Sequence, residues 1–158
     1  RGDVGCLAVR SGSVDAVVCL EVLEYVWTPL AALAEVRRVL NPGGTLVISS
    51  PFLHRVDAPD DYWRLTEPGL RRLLAESGFN VLRWRAQGHA LAVATNVLRY
   101  VVSVQGPWVQ RVLRVILRPL FSTLLWADDG LTRSRPILGG FTTGYLVVAR
   151  KPTADESG

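Results

Sequence analysis

Two stretches of this 158-residue chain concentrate side chains that can do chemistry. The first closes an apolar run, where Val14 to Leu20 gives way to Glu21, Val22, Leu23, Glu24 and Tyr25. Two carboxylates at the end of such a run make an acidic spot that suits a cationic ligand. The same residues also read as solvated loop acids, or as one acid capping the next helix. The second stretch is Phe52–Arg64, which holds His54, Asp57, Asp60, Asp61, Tyr62, Trp63 and Arg64. That density of polar and aromatic groups exceeds what a connector needs and suits a substrate loop. Histidine is the side-chain type that ordinarily titrates near neutrality, so His54 is the candidate general base. A structural reading stands beside this one: Asp60 or Asp61 pairs with Arg64, and Tyr62 and Trp63 pin the loop to the core.

The elements that must position these stretches follow from local patterns. Val14–Leu20 is short, apolar and β-branched between turn residues, which predicts a fully buried strand. Thr28-Pro29 starts a helix, with Thr28 as N-cap and Pro29 at the first helical position. Ala32, Leu33, Val36, Val39 and Leu40 then recur at helical spacing. Asn41-Pro42-Gly43-Gly44 stops that helix, because Asn or Gly can take the left-handed closing conformation. Thr45–Ser49 is the second buried strand, running on to Pro51. A strand, helix and strand of these lengths form a right-handed parallel unit, which places both polar stretches at the carboxyl ends of strands.

Further along, Thr66 can cap a helix with Pro68 in its first turn and Leu70, Leu73 and Leu74 on its apolar face. Gly78 closes it, and Phe79–Arg85 reads as a strand near a sheet edge. Residues 87–140 are an excursion before a last strand, Thr142–Ala149. Trp108 to Trp126 is helical in pattern, with Pro119 expected to kink or break it. The expected organisation is one partial domain over residues 1–150, with a helical insertion at about 87–140 and a disordered tail over 151–158.

Composition narrows the class. Apolar residues at 49% and charged residues at 20% describe a globular domain. Seventeen of the eighteen basic residues are Arg, and only Lys151 is Lys, a skew that coding bias or phosphate recognition can produce. A net charge of +4 does not indicate a nucleic-acid partner, and none is expected. Cys6 and Cys19 make no disulfide framework and suit a reducing cytoplasm. His54 and His89 lie far apart, and no cluster has metal-ligand spacing. Between 97 and 126, Arg99, Arg111, Arg114 and Arg118 occur with no acid. That stretch reads either as a basic amphipathic helix peripheral to an anionic membrane, or as a lid or subunit contact.

In this order and spacing, Asp15, Val17, Val22-Leu23-Glu24-Tyr25-Val26, Arg38-Val39-Leu40-Asn41-Pro42-Gly43-Gly44 and Pro51 resemble class I S-adenosylmethionine-dependent methyltransferases. The bacterial type 11-like branch is the nearest. Ala58-Pro59-Asp60-Asp61-Tyr62-Trp63-Arg64-Leu65-Thr66 and Gly69-Leu70 to Gly78-Phe79 resemble it too. The resemblance implies an α/β, Rossmann-like sheet, here its carboxyl-terminal part, mostly parallel with an antiparallel final strand. It implies S-adenosylmethionine as cofactor and a small-molecule or lipid-linked methyl acceptor.

By the same resemblance, Asp3 and Val4 face the adenine, Cys19, Leu20 and Glu21 line the cofactor, and His54 and Tyr25 are the catalytic candidates. Asp57, Asp61, Tyr62, Trp63 and Arg64 are the substrate-binding candidates. Asp3 also reads as a turn residue, since Gly-Asp is common turn chemistry. Tyr25 stands where the branch usually carries His, and a phenol is a poor base near neutrality. The family's glycine-rich turn and ribose-binding acid have no counterpart in the sequence, which begins at Arg1 and is expected to be an N-terminally truncated fragment. A non-catalytic remnant or interaction domain is the alternative expectation.

Overall fold

The computed structural model describes residues 3–153. The described residues form two compact units, 3–85 with 144–153 and 86–143. The first holds a four-stranded sheet: β1 (Val14–Leu20), β2 (Leu40–Pro51), β3 (Asn80–Ala86) and β4 (Gly144–Arg150), in the order β1-β2-β4-β3. Strand β1 runs parallel to β2, with Ala16 opposite Thr45 and Leu20 opposite Ser49. Strand β4 pairs antiparallel with β2, from Thr45 opposite Arg150 to Pro51 opposite Gly144. The sheet is therefore mixed, with the final strand antiparallel, as expected for the Rossmann-like class.

Helix α1 (Pro29–Val39) is the crossover between β1 and β2, and α2 (Glu67–Glu76) precedes β3. Leu33 and Val36 of α1, Leu70 and Leu74 of α2, and Leu46, Ile48 and Val147 of the sheet share one buried core. Burying such aliphatic side chains contributes about 1.5–3 kcal/mol each, which makes this core the main source of the unit's stability. Thr66 caps α2 by accepting a hydrogen bond from the Gly69 amide, with Pro68 in the first turn.

Four local expectations need correction. Strand β1 is not fully buried. It sits at the sheet edge, so Val17 and Cys19 face the core while Ala16, Val18 and Leu20 face away, and Val18 is 65% exposed. Thr28 occupies the N-cap of α1 but its side chain makes no capping hydrogen bond. The helix stop falls earlier than Asn41, because Leu40 is already extended and begins β2. Residues 41–44 form an irregularity in that strand, between the pairs Val14–Leu40 and Ala16–Thr45. Gly43 supplies the left-handed residue (φ 77°). A Cβ on Gly44 would stand 2.8 Å from the Asn41 carbonyl oxygen, closer than any side chain tolerates. Asn41 itself donates to Asp15 Oδ1 at 2.6 Å, tying the turn to β1.

The fourth correction concerns the second unit. Helix α4 (Pro107–Ser134) runs unbroken through Pro119 and packs on α3 (Ala90–Ser103). Pro119 lies on an exposed side of α4, so water can satisfy the carbonyl that loses its helical donor. The buried Asp128 joins the two helices. Its carboxylate accepts from the amides of His89 (2.6 Å) and Leu91 (2.9 Å) at the start of α3, where helix amides lack partners. The expected disordered tail falls largely outside the described residues. Within it, Lys151 is ordered, and its Nζ donates to the Arg37 and Leu40 carbonyls at the end of α1 (2.8 and 2.6 Å).

One ion pair, beside the Gly12 and Ser13 amides that donate to the Arg38 and Val39 carbonyls, holds the segment before β1. Arg38 and Glu35 of α1 bond each other at 2.7 Å. Arg38 also donates to the carbonyls of Leu7 and Val9 and to Ser11 Oγ, while Glu35 accepts from the Leu7 amide at 2.8 Å. These donors pull the Glu35 carboxyl from 4.5 down to about 2. A carboxyl lowered on folding stabilises the fold fully above its unfolded value and ceases to do so below its folded one. Acid titration of thermal stability should therefore show a loss between about pH 4.5 and about pH 2. In Glu35→Gln that part of the pH dependence should be missing.

Candidate active site at the carboxyl ends of the parallel strands

Backbone geometry at the end of β1 sets the site. Glu21 is the one described non-glycine residue with positive φ (51°). A left-handed glutamate costs about 1–3 kcal/mol and persists only where surroundings enforce it. Ser49, at the matching end of β2, does so. Its Oγ accepts from the Glu21 amide at 3.1 Å and donates to Glu21 Oε1 at 2.6 Å. Sequence reasoning missed Ser49. A serine pair just before the strand-ending Pro51 is the signal that could have found it, since polar groups there line ligand clefts.

Residues 23–25 then form a short 3-10 turn that buries Glu24, which is 3% exposed. Burial raises the Glu24 carboxyl above its ordinary range, helped by the negative charges of Glu21 and Asp61. Its Oε2 has no hydrogen-bond partner among the described residues, and the same holds for the buried Ser50 Oγ and Arg64 Nε. Cys19 points into the core, where burial pushes its thiol up to about 11, so it is an unreactive side chain. Leu20 is exposed at the strand end.

The loop after β2 docks on this acidic turn. The Tyr62 amide donates to the Glu24 carbonyl at 2.7 Å, and Trp63 Nε1 donates to the Val26 carbonyl at 2.8 Å. The Tyr62 ring meets Trp27 edge-on at 5.1 Å between centroids. Asp61 and Arg64 form a two-pronged pair, and Asp61 also accepts from the Asp57 amide at 2.9 Å. The Asp61 side chain is 1% exposed, and the Arg64 guanidinium holds its carboxyl down at about 2. Arg64 further donates to the Arg55 carbonyl, and Arg55 pairs with Asp57. The structural reading of Asp61, Arg64, Tyr62 and Trp63 is thus what the contacts display.

His54 is left in a different condition. Its Nδ1 lies 3.2 Å from the Arg55 carbonyl, which can only accept, and 3.7 Å from an Asp57 carboxylate oxygen. With its hydrogen on Nδ1 the ring meets that carbonyl and leaves Nε2 as an acceptor. Tyr25, on the 3-10 turn, has its phenol raised by loss of water and by Asp57, Asp61 and Glu24. It remains a neutral hydrogen-bond donor near pH 7 rather than a base. Asp3 stands apart, in a turn where its Oδ1 accepts from the Gly5 amide at 2.8 Å and its carbonyl from Cys6. Val4 lies inside that turn. No group of three or more metal-ligating side chains occurs among the described residues.

Comparison with known proteins fits this geometry. A family model described as "Methyltransferase domain" matches residues 1–48, which include β1, the acidic turn and α1. A protein of Mycolicibacterium smegmatis named "Probable S-adenosylmethionine-dependent methyltransferase" is 30% identical over 118 residues, 70% of this chain and 46% of that protein. Over these stretches the chain is similar to S-adenosylmethionine-dependent methyltransferases. A "Ubiquinone biosynthesis O-methyltransferase" of Xanthomonas campestris pv. campestris is 49% identical over 43 residues, 27% of this chain and 18% of that one. The chain spans less than half the length of these curated relatives. A solved SAM-dependent methyltransferase from Methanosarcina mazei shares the fold at a TM-score of 0.56 and 14% identity, over 96% of this chain and 66% of that one.

The family's cofactor carries a sulfonium and an ammonium, and the residues at the end of β1 fit a cationic group. Glu24 presents a buried carboxylate oxygen without a partner beside the fixed carboxylate of Glu21. The Asp61–Arg64 pair braces the loop that faces them. Arg64→Met keeps most of the side-chain volume and strands the buried Asp61 carboxylate, so it should cost about 2–3 kcal/mol. The double variant Asp61→Asn with Arg64→Met should recover part of that loss in urea unfolding, because no uncompensated charge remains.

Proposed function

We propose that the protein transfers a methyl group from S-adenosylmethionine to a small-molecule or lipid-linked acceptor whose nucleophile is an oxygen. When bound, the cofactor supplies an electrophilic methyl group for in-line displacement. The chain's residues then have distinct tasks. Glu24 and Glu21 hold the cationic end of the cofactor through charge, and the exposed Leu20 borders it. The loop 52–64 covers the acceptor, with Tyr62 and Trp63 forming its aromatic wall over the acidic turn. His54 Nε2 takes the acceptor's proton, and Asp57, facing the other ring nitrogen, steadies the imidazolium that forms. The Tyr25 hydroxyl orients the acceptor as a donor. Placement rather than bond polarisation is the main contribution of these residues.

The observation that carries this reading is the buried, partnerless Glu24 carboxylate oxygen at the end of β1. The fold spends stability to keep an acid there, which is typical of a ligand site. The O-methyl assignment is supported by the ubiquinone-pathway relative, whose identity with this chain is confined to a short stretch. In this reading the chain contributes the half of the pocket at β1 and β2, and a glycine-rich turn is not part of that half. A non-catalytic role is the alternative, favoured by Asp3 bonding within its own turn and by Asp61 and Arg64 being committed to each other.

Calorimetric titration separates the two. The catalytic reading expects micromolar binding of S-adenosylmethionine and of S-adenosylhomocysteine, and the non-catalytic one expects neither. Glu24→Gln gives a sharper test. It should raise the melting temperature near pH 7, because a raised carboxyl opposes folding when ionised. It should also weaken S-adenosylmethionine more than the uncharged-sulfur product. Greater stability with unchanged cofactor affinity would remove Glu24 from the site.

A further inference from the structure

The second unit carries a surface that the methyl-transfer chemistry does not use. From Glu76 to Asp128 the chain has no acidic residue, yet this span includes six arginines and two tryptophans beyond the one in β3. On α4, the side facing α3 is built around Leu113, Leu117, Phe121 and Asp128, at helical spacing. The opposite side is apolar and uncovered. Trp108, Val112, Val115, Pro119 and Trp126 follow each other at intervals of helical turns, and the two tryptophans are 75% and 84% exposed. Soluble surfaces rarely leave two indoles in water on one helix face.

Arg111, Arg114 and Arg118, three and four positions apart, form a stripe along one flank of that apolar face. Helix α3 adds exposed Val97, Val101 and Val104. Its Arg99 stacks over the Phe121 ring at 5.8 Å, which braces the helix pair. None of the helices in the described residues is long and apolar enough to cross a membrane. An uncovered apolar face with indoles, flanked by guanidinium groups and with the exposed acid of α4, Asp129, set beyond Trp126, matches an in-plane amphipathic helix. Indole rings favour the headgroup level, and arginines favour phosphate oxygens there.

We propose that α3 and α4 dock this protein on the surface of an anionic lipid bilayer, with the Trp108–Trp126 face of α4 at the acyl boundary and Arg111, Arg114 and Arg118 on lipid phosphates. Charge complementarity selects this occupant. A second copy would set three arginines against three arginines, and a neutral apolar partner would leave them unused. The proposal is independent of the methyl-transfer reading, since vesicle binding requires no cofactor.

Vesicle co-sedimentation of the full chain tests it, using phosphatidylcholine alone and phosphatidylcholine with about one-third phosphatidylglycerol. Binding is expected to the anionic vesicles, with a blue shift in tryptophan emission, and to fall as salt rises. Changing Arg111, Arg114 and Arg118 together to Gln should weaken it about a hundredfold. In the double variant Trp108→Phe with Trp126→Phe, binding should persist while most of the blue shift is lost. These positions are exposed, so circular dichroism and melting should match the parent. Absence of binding to anionic vesicles at low salt would overturn the proposal. So would equal binding to neutral vesicles, a concentration-dependent dimer that shifts the same tryptophans without lipid, or salt-sensitive binding to duplex DNA in place of vesicles.

Discussion

Strand β2 is hydrogen-bonded along both edges, and the first unit is arranged to meet that requirement. A central strand cannot leave its amides and carbonyls unpaired in an apolar core. Its parallel partner, β1, can be reached only through a crossover, which is α1. Its antiparallel partner, β4, follows the second unit in the chain, and Lys151 just beyond it closes the last turn of α1. The alternating Leu46 and Ile48 then face a single core with both helices. Because β1 and β2 are parallel and in register, Leu20 and Ser49 end side by side. The acidic turn and the 52–64 loop therefore leave the sheet at one place, and the candidate site follows from strand pairing.

Two carboxyl groups at that place are driven in opposite directions. Asp61 is held as an anion by Arg64, while Glu24 is pushed toward its neutral form by burial. One acid braces the loop, and the other retains unspent capacity to accept charge. Separation of this kind is how neighbouring acids take different tasks. The strained Glu21, clamped by Ser49, has the same character, with local cost borne by well-paired surroundings. A cationic methyl donor would relieve both Glu24 and Glu21. That gives a physical reason for the first unit to tolerate them.

The regular elements were legible because they depend on local pattern. Apolar runs, Pro at helix starts and Gly at turns located β1, α1, α2 and the last strand to within a few residues, and the motif order carried the methyltransferase resemblance. Burial of β1 was not legible, since it depends on which strands flank it and an apolar run reads the same at an edge as at a centre. The clamp of Arg38 and Glu35 was also hidden, because its partners Leu7, Val9 and Ser11 are distant in sequence and mostly backbone. Pro119 misled for a related reason. Its cost depends on whether water reaches the orphaned carbonyl, and that is set by the packing of α4. Within the site, residue types gave both the acids and the loop. They could not show which polar groups are spent on one another, and Asp61 and Arg64 are.

The most direct test of the site assignment is the map of backbone amide chemical shifts of the isotope-labelled chain, recorded with and without S-adenosylmethionine. Perturbation concentrated at residues 19–25 and 49–64 is the expected result, with the largest changes at Leu20, Glu21 and Glu24. Saturating cofactor that leaves these amides unmoved, or that shifts only residues 87–143, would contradict it.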